Sequence, residues 1–156
     1  MNPMLSLYQE IILDHNRHPR NFGHLDRCTH QAQGFNPLCG DKVFLTLNVG
    51  DEDELIREIA FEGTGCAISV ASASLMTEAL RNLPVENARR LIEAVHELIV
   101  GGTVPALLEE ERYARLKALA GVHEFPARVK CATLAWQTLR AALDRKTQEI
   151  SSDPRS

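Results

Sequence analysis

The spacing of apolar residues predicts a helix at the start of the chain and a group of strands after it. Residues 5–17 place apolar side chains on one helical face, and this helix should end before the His-Pro pair at 18–19, because a residue preceding proline disfavours the α conformation. Residues 42–49 and 55–62 alternate apolar and polar side chains around an acidic, glycine-led turn, which predicts an antiparallel hairpin. Residues 28–35 form a weaker, more polar candidate for a third strand.

From residue 66 onward the apolar residues recur at helical spacing instead. We predict helices over residues 66–81, from Pro84 to the glycine pair at 101–102, over 104–120 and over 126–146. A chain with its strands first and its helices afterwards is typical of an α+β domain. We therefore expect a small antiparallel three-stranded sheet with helices packed on one face.

The length and the charge of the chain narrow its functional class. Its 156 residues fit a single domain, which we place at residues 1–147, followed by a polar C-terminal tail at 148–156 that we expect to be frayed. The 17 Lys and Arg residues against 21 Asp and Glu residues give a net charge of −4, which argues against a nucleic-acid partner. No apolar run approaches the roughly 18 residues of a membrane span, and the first residues lack the features of a secretory signal. We expect a cytoplasmic protein without a membrane partner.

Four cysteines are the main candidates for chemistry: Cys28, Cys39, Cys66 and Cys131. Because disulfides are disfavoured in the cytosol, metal binding or thiol chemistry is the better interpretation. Cys39 is separated from Asp41 by one glycine, whose backbone freedom allows both side chains to turn toward one point. Cys66 lies at the predicted start of a helix, where the helix dipole favours the thiolate. Cys131, near the start of the last helix, should experience a weaker version of the same field.

Three thiolates and one carboxylate form a set of four ligands that suits tetrahedral zinc. These ligands are Cys39, Asp41, Cys66 and Cys131. Four anionic ligands around a divalent cation leave a net negative charge that is costly to bury. Arg128 and Lys130, just before the last cysteine, could supply the opposing charge.

Less specific interpretations stand beside this one. A single cysteine is most often a buried, unreactive hydrophobic residue. We interpret Cys28, whose neighbours indicate no chemistry, as structural or incidental. We expect His15, His18 and His24 to be solvated, and His123 is the one histidine that we consider as a neighbour of the site. The zinc could also be purely structural, although a chain of this length does not need such support.

Three motifs carry a resemblance to a known family. They are residues 36–41 (NPLCGD), 61–74 (FEGTGCAISVASAS) and 125–136 (FPARVKCATLAW). In this order they resemble the U-type iron–sulfur cluster assembly proteins, the family of IscU, SufU and the N-terminal domain of NifU, and the similarity extends over about residues 5–145. Lys130 where the IscU-like branch has histidine, Arg128 before it, and an insertion at about residues 102–120 are similar to the SufU-type branch.

The resemblance implies an IscU/SufU-like fold and a specific chemistry. Zinc would be held by the four ligands named above, and Cys39 would be the catalytic residue, accepting sulfane sulfur from the persulfide of a SufS-like cysteine desulfurase. A histidine of the desulfurase would replace Cys39 at the zinc and free its thiolate to attack. Arg128 would lie beside the site and steady Asp41. The protein would act as a zinc-dependent, sulfurtransferase-like sulfur acceptor that supplies a downstream iron–sulfur assembly scaffold.

The same resemblance leaves open an alternative in which the protein is itself the scaffold. An iron–sulfur cluster would then be bound by the thiolates in place of zinc and would be assembled here before transfer to apo-proteins. Lys130, in place of the histidine of the IscU-like branch, argues against this alternative. Hydrolytic catalysis is the least favoured function, because four protein ligands leave zinc no open position for water.

Overall fold

The computed structural model describes residues 3–144 and 149–151. Within these residues, four α-helices and four strands follow in the order α1 (Pro3–Arg17), β1 (His30–Asn36), β2 (Asp41–Val49), β3 (Ile56–Thr64), α2 (Ala67–Leu80), α3 (Val85–Gly101), α4 (Pro126–Leu143) and β4 (Glu149–Ser151). Two stretches of 3₁₀ helix, Ala106–Glu109 and Glu111–Glu124, connect α3 to α4. Three strands followed by helices confirm the predicted α+β class.

The central sheet has the strand order β3-β2-β1-β4. The three predicted strands are antiparallel, and their register places Leu45 of β2 opposite both Ala32 of β1 and Phe61 of β3. The short strand β4 pairs parallel with β1, so that part of the segment expected to be a frayed tail lies at the sheet edge. Three residues are too few to show an alternation of apolar and polar side chains, and pairing at an edge uses backbone groups that every strand presents. The other tail residues, 148 and 152–156, lie outside the described residues.

The helices cover one face of the sheet and enclose the hydrophobic core. Along β2 the side chains of Val43, Leu45 and Leu47 are buried against the helices, as the alternation predicts, whereas Lys42 on the opposite face is exposed. α4 packs across β1 and β2, and α2 packs against β3. The inward face of the three long strands therefore packs against α2 and α4.

A buried chain of hydrogen bonds joins α2 to α4. The indole N–H of Trp136 donates to Ser72 Oγ at 3.1 Å, and the Ser72 hydroxyl donates to the Ala132 carbonyl oxygen at 2.6 Å. Ser72 and Ala132 are both fully buried. These bonds fix the relative position of the two helices whose first turns lie next to Cys66 and Cys131.

The connection between α3 and α4 differs from the helix that we predicted over residues 104–120. Its main part is a 3₁₀ helix that continues through Gly121 and ends at Glu124. Its buried large residues recur at every third position: Tyr113, Leu116, Leu119 and Val122. This spacing matches the three residues per turn of a 3₁₀ helix, in which such side chains share one face. The expectation of an ordinary helix ending at Gly121 was wrong, because it relied on pairs such as Leu116 and Leu119, and residues three apart share a face in both kinds of helix.

The other helices end near their predicted limits. α2 and α3 agree with the sequence pattern to within one residue, and α3 ends at Gly102 in a left-handed conformation with a φ of +74°. α4 ends at Leu143, whereas we predicted an end at residue 146; residues 145–148 lie outside the described residues. None of the helices in the described part of the chain combines the length and the hydrophobicity that crossing a membrane requires.

His15 in α1 is fully buried, which corrects the expectation of a solvated side chain. Its Nδ1 lies 2.7 Å from Ser74 Oγ in α2. Its Nε2 has no hydrogen-bond partner among the described residues and lies 3.9 Å from Glu78 Oε1. Burial lowers the pKa of His15, because the charged form loses its hydration. The residue belongs to the interface of α1 with α2, which the pattern of α1 alone does not reveal.

Candidate metal centre

The first element of the site is the tight turn between β1 and β2. Asn36 and Asp41 face each other as the last pair of the antiparallel ladder, and four residues connect them. Gly40 closes the turn by donating its N–H to the Asn36 carbonyl oxygen at 2.8 Å, and its φ of +72° is one that residues with a side chain rarely adopt. The turn exposes Cys39, whereas Asp41 at the start of β2 is fully buried.

The second element is the junction between β3 and α2. Cys66 is the residue that caps the N-terminus of α2, in agreement with the sequence prediction. Its backbone N–H donates to Asp41 Oδ1 at 2.9 Å. Gly65 before it has a φ of +145°, and a Cβ added there would lie only 2.2 Å from the same carboxylate oxygen. The backbone of this junction therefore lies directly against the Asp41 carboxylate.

The third element is the second turn of α4, which carries the fully buried Cys131. Burial raises the pKa of the Cys131 thiol far above its usual range, and hydrogen bonds with Asp41, Cys66 and Cys39 raise it further. The expected stabilisation of this thiolate by the helix dipole is therefore not the dominant effect. The reason is position, because the dipole acts mainly within the first turn and desolvation acts on the whole buried side chain.

These elements bring the four predicted ligands to the same end of the sheet. One ligand atom each from Cys39, Asp41 and Cys131 lies within 4.8 Å of the others, which is a spacing that a single ion could bridge. The Cys66 thiol lies outside this trio but near enough to the Cys131 thiol to raise the pKa of Cys131. Cys28 precedes the opposite end of β1, and its Sγ lies 3.9 Å from Gln31 Oε1.

The side chains gathered at this site are of the types that bind zinc. Thiolate, imidazole and carboxylate groups all bind zinc, and four protein ligands are usual in closed sites. Asp41 Oδ1 accepts a hydrogen bond from the Cys66 N–H at 2.9 Å, and Asp41 Oδ2 accepts one from Asn36 Nδ2 at 3.1 Å. Because each such oxygen has two lone pairs, Asp41 keeps the capacity to bind an ion.

The two basic residues predicted beside the site differ in their contacts. The exposed guanidinium of Arg128 hydrogen-bonds with Cys131, and this bond, together with the charges of Cys66, Cys131 and Cys39, raises the pKa of Arg128. Asp41 accepts hydrogen bonds from Asn36 Nδ2 and from the Cys66 N–H, and the interaction of Arg128 is with Cys131, so a direct action of Arg128 on Asp41 stays a prediction.

Lys130 and His123 make no described contact with the cysteines or with Asp41. Lys130 is half-buried, and its backbone carbonyl oxygen accepts a hydrogen bond from Thr133 Oγ1 at 3.4 Å. The Nδ1 of His123 lies 2.8 Å from the Val100 carbonyl oxygen, so this ring packs against the end of α3. The described hydrogen bond of His123 therefore joins it to α3 and not to the site.

Asn36 is a component of the site to which the sequence analysis assigned no role. It is fully buried, and its amide group lies between Asp41 and Cys131. The alternation along β1 contained a usable signal, because Ala32, Gly34 and Asn36 share the inward face. A polar residue at an inward position next to a cysteine loop indicates a buried hydrogen-bonding role.

The similarity of this chain to known proteins agrees with these features. The family described as NifU-like N terminal domain matches residues 7–132. The chain is 41% identical over 139 residues to the iron–sulfur cluster assembly scaffold protein IscU of Streptococcus pyogenes serotype M1, an alignment that covers 89% of this chain and 84% of that protein. It is 35% identical over 141 residues to the zinc-dependent sulfurtransferase SufU of Bacillus subtilis (strain 168), which covers 90% of this chain and 92% of that protein.

A solved structure extends the similarity to three dimensions. The crystal structure of a proposed iron–sulfur cluster assembly scaffold protein for the SUF system from Fervidobacterium islandicum AW-1 superposes with a TM-score of 0.77 at 30% identity, covering 88% of this chain and 97% of that one. The fold and the resemblance inferred from the three motifs are thereby confirmed. The chain belongs to the NifU-like N-terminal domain family and is an iron–sulfur cluster assembly protein of the IscU/SufU type.

Proposed function

We propose that this protein is a zinc-bound sulfur acceptor, in which Cys39 receives the sulfane sulfur of a persulfide on a SufS-like cysteine desulfurase. The observation that carries the proposal is the difference in exposure among the three clustered thiols. Cys131 is buried and Cys66 is half-buried, whereas Cys39 is exposed on its turn. A persulfide on a second protein can therefore reach Cys39 without any rearrangement of the core.

The proposed zinc ligands are Cys39, Asp41, Cys66 and Cys131. Bound zinc would hold its thiol ligands in the deprotonated, nucleophilic form. This chemistry matters here because burial favours the protonated form of Cys131. The guanidinium of Arg128, exposed beside the thiols, supplies a positive charge that offsets the anionic ligands.

The transfer follows the rules of thiol–disulfide exchange. The Cys39 thiolate attacks the outer sulfur of the desulfurase persulfide, and a new S–S bond forms at Cys39. The S–S bond within the donor breaks, and the donor cysteine leaves as a thiolate. Sulfane sulfur moves from one thiolate to another without net oxidation or reduction, and a downstream iron–sulfur assembly scaffold takes it from Cys39 in a second exchange.

An apolar groove beside the thiols supports a protein as the sulfur donor. The groove has a volume of about 490 Å³ and is formed by α1, the start of α2, the 3₁₀ helix and the start of α4. Leu13 and Phe125 on its walls are 45% and 62% exposed, and Arg128 lies on the same wall as Phe125. Large exposed apolar side chains next to a reactive thiol are typical of a docking surface. Four free cysteines are in keeping with a reducing, cytosolic setting.

The test is a desulfurase assay with the purified zinc-loaded protein and two cysteine variants. Cys39→Ala should abolish the stimulation of sulfide release by a SufS-like desulfurase. Cys28→Ala is the matched control, because it removes a cysteine outside the cluster, and it should stimulate as the wild type does. Full stimulation by Cys39→Ala would show that this cysteine is not the acceptor, and metal analysis of the wild-type protein would show whether zinc is bound.

A second candidate is a scaffold on which an iron–sulfur cluster is assembled. It is favoured by the 41% identity to a protein described as an iron–sulfur cluster assembly scaffold. Three cysteines at one end of a sheet could also bind a cluster. Anaerobic reconstitution followed by stoichiometric cluster transfer to an apo-ferredoxin would support the scaffold over the sulfur acceptor.

A further inference from the structure

Asn36 joins three parts of the candidate zinc site through one side chain. Its Nδ2 group donates to Asp41 Oδ2 at 3.1 Å and to Cys131 Sγ at 3.7 Å. Its Oδ1 accepts the backbone N–H of Leu38, the residue before Cys39, at 3.2 Å. One amide group thus contacts the start of β2, the second turn of α4 and the turn that carries Cys39.

The hydrogen-bonding capacity of this amide matches the site. An asparagine amide has two N–H donors, and the two donors of Asn36 are directed at two of the proposed ligands. Each of these bonds occupies one lone pair of a ligand atom and thereby directs the remaining lone pairs. The donors also offset part of the negative charge of the ligands without adding another ion to a buried position. Asn36 is 0% exposed, so water cannot replace these bonds.

We propose that Asn36 is a positioning residue of the zinc site, which holds Asp41, Cys131 and the Cys39 turn in the arrangement that binds the ion. The proposal rests on the proposed function, because it requires that these residues bind zinc. Groups that orient metal ligands in this way contribute about 10–100-fold to metal affinity. A purely structural asparagine would instead affect the stability of the metal-free protein and leave the metal geometry unchanged.

The chain offers a matched control at the opposite end of the same sheet. Asn48 also accepts one backbone N–H, from Thr29 at 3.1 Å. Its Nδ2 also makes two donor contacts, to the Arg27 carbonyl oxygen at 2.9 Å and to Glu58 Oε1 at 3.0 Å. Asn36→Asp and Asn48→Asp therefore make the same chemical change in networks with the same numbers of donors and acceptors. Asn48 is half-buried whereas Asn36 is fully buried, and only the network of Asn36 includes the proposed ligands.

The experiment compares wild-type protein, Asn36→Asp and Asn48→Asp. Zinc affinity is measured by competition with a chromophoric chelator, and ligand geometry by the absorption bands of Co²⁺ bound in place of zinc. Asn36→Asp keeps the side-chain shape and replaces both donors with an oxygen that repels the ligands. We expect it to weaken zinc binding about 10–100-fold and to shift the cobalt bands, while Asn48→Asp matches the wild type in both.

A second variant keeps the test decisive if Asn36→Asp does not fold. Asn36→Ser retains one hydroxyl donor and should bind zinc more weakly than the wild type, with circular dichroism confirming that the metal-free protein is folded. Zinc affinity and cobalt bands equal to those of the wild type in a folded Asn36 variant would overturn the inference alone. Failure of the wild-type protein to bind zinc would overturn the proposed function and this inference with it.

Discussion

Replacing Gly65 with alanine tests whether Asp41 is held as rigidly as the structure implies. The new Cβ would lie 2.2 Å from Asp41 Oδ1 and 2.9 Å from its Cγ, which is closer than such atoms can approach. The carboxylate has little freedom to move away, because it is fully buried and is held by Cys66 N–H and by Asn36. Either the β3–α2 junction or Asp41 must therefore shift.

The loss of stability expected for Gly65→Ala has two parts. The φ of +145° at Gly65 is strained for alanine, and such backbone strain costs about 1–3 kcal/mol. Displacing Asp41 breaks a hydrogen bond to a charged group, which contributes about 1.5–3 kcal/mol. We expect a total loss of about 2.5–6 kcal/mol in the free energy of unfolding, a large part of the 5–15 kcal/mol that is usual for a domain.

The measurement is urea unfolding of the metal-free protein, followed by far-ultraviolet circular dichroism. Gly23→Ala is the matched control: Gly23 has a similar φ of +135°, but an added Cβ has no atom within 4 Å. It should lose only the backbone contribution of about 1–3 kcal/mol. In an Asp41→Ala background, most of the excess cost of Gly65→Ala over Gly23→Ala should disappear, because only the 3.0 Å contact with the backbone Cα of residue 41 remains. Equal losses for the two glycine variants in the wild-type background would refute the reasoning.

Three further outcomes follow from the structure. Removal of zinc with a chelator should lower the thermal unfolding midpoint of the wild-type protein, and the zinc-dependent difference should be much smaller in Asp41→Ala. The free energy of unfolding should fall as the pH is lowered from about 7 to about 5. The pKa of buried His15 lies below its unfolded value near 6.5, so protonation favours the unfolded chain. In urea titrations, a His15→Gln variant should show a smaller dependence of the free energy of unfolding on pH. Trp136→Phe removes the hydrogen bond to Ser72, which contributes about 1 kcal/mol, and it should cost more than that because the smaller ring also leaves a cavity in the core; the loss is measured by circular dichroism because the chain has no other tryptophan.

Much of the fold could be predicted because its signals are local. The alternation over residues 42–49 reports directly which side of β2 is buried, and the glycine pair at 101–102 marks the end of α3. The cluster of candidate ligands was predictable for a different reason. Cys39 and Asp41 are neighbours in a tight turn, and Cys66 lies at a helix start that the change of period reveals.

The features that could not be predicted depend on partners distant in sequence. The burial of His15 comes from packing on Ser74, 59 residues away, which no pattern within α1 encodes. The raised pKa of Cys131 comes from the burial of its thiol within the fold, where desolvation outweighs the expected dipole. The role of Asn36 depends on a contact with Cys131, 95 residues away.

The four-residue connection between Asn36 and Asp41 has a consequence for the order of events in the proposed relay. Because this loop is short and both of its ends are paired in the sheet, it cannot carry the sulfane sulfur on Cys39 from one protein to another. The sulfur donor and the sulfur receiver must both bind at the Cys39 turn, and two proteins cannot bind there at the same time. Transfer should therefore take place in two separate binding steps, in which the donor dissociates before the receiver binds. An excess of sulfur-free receiver should slow the transfer of sulfur to Cys39, because it competes with the donor.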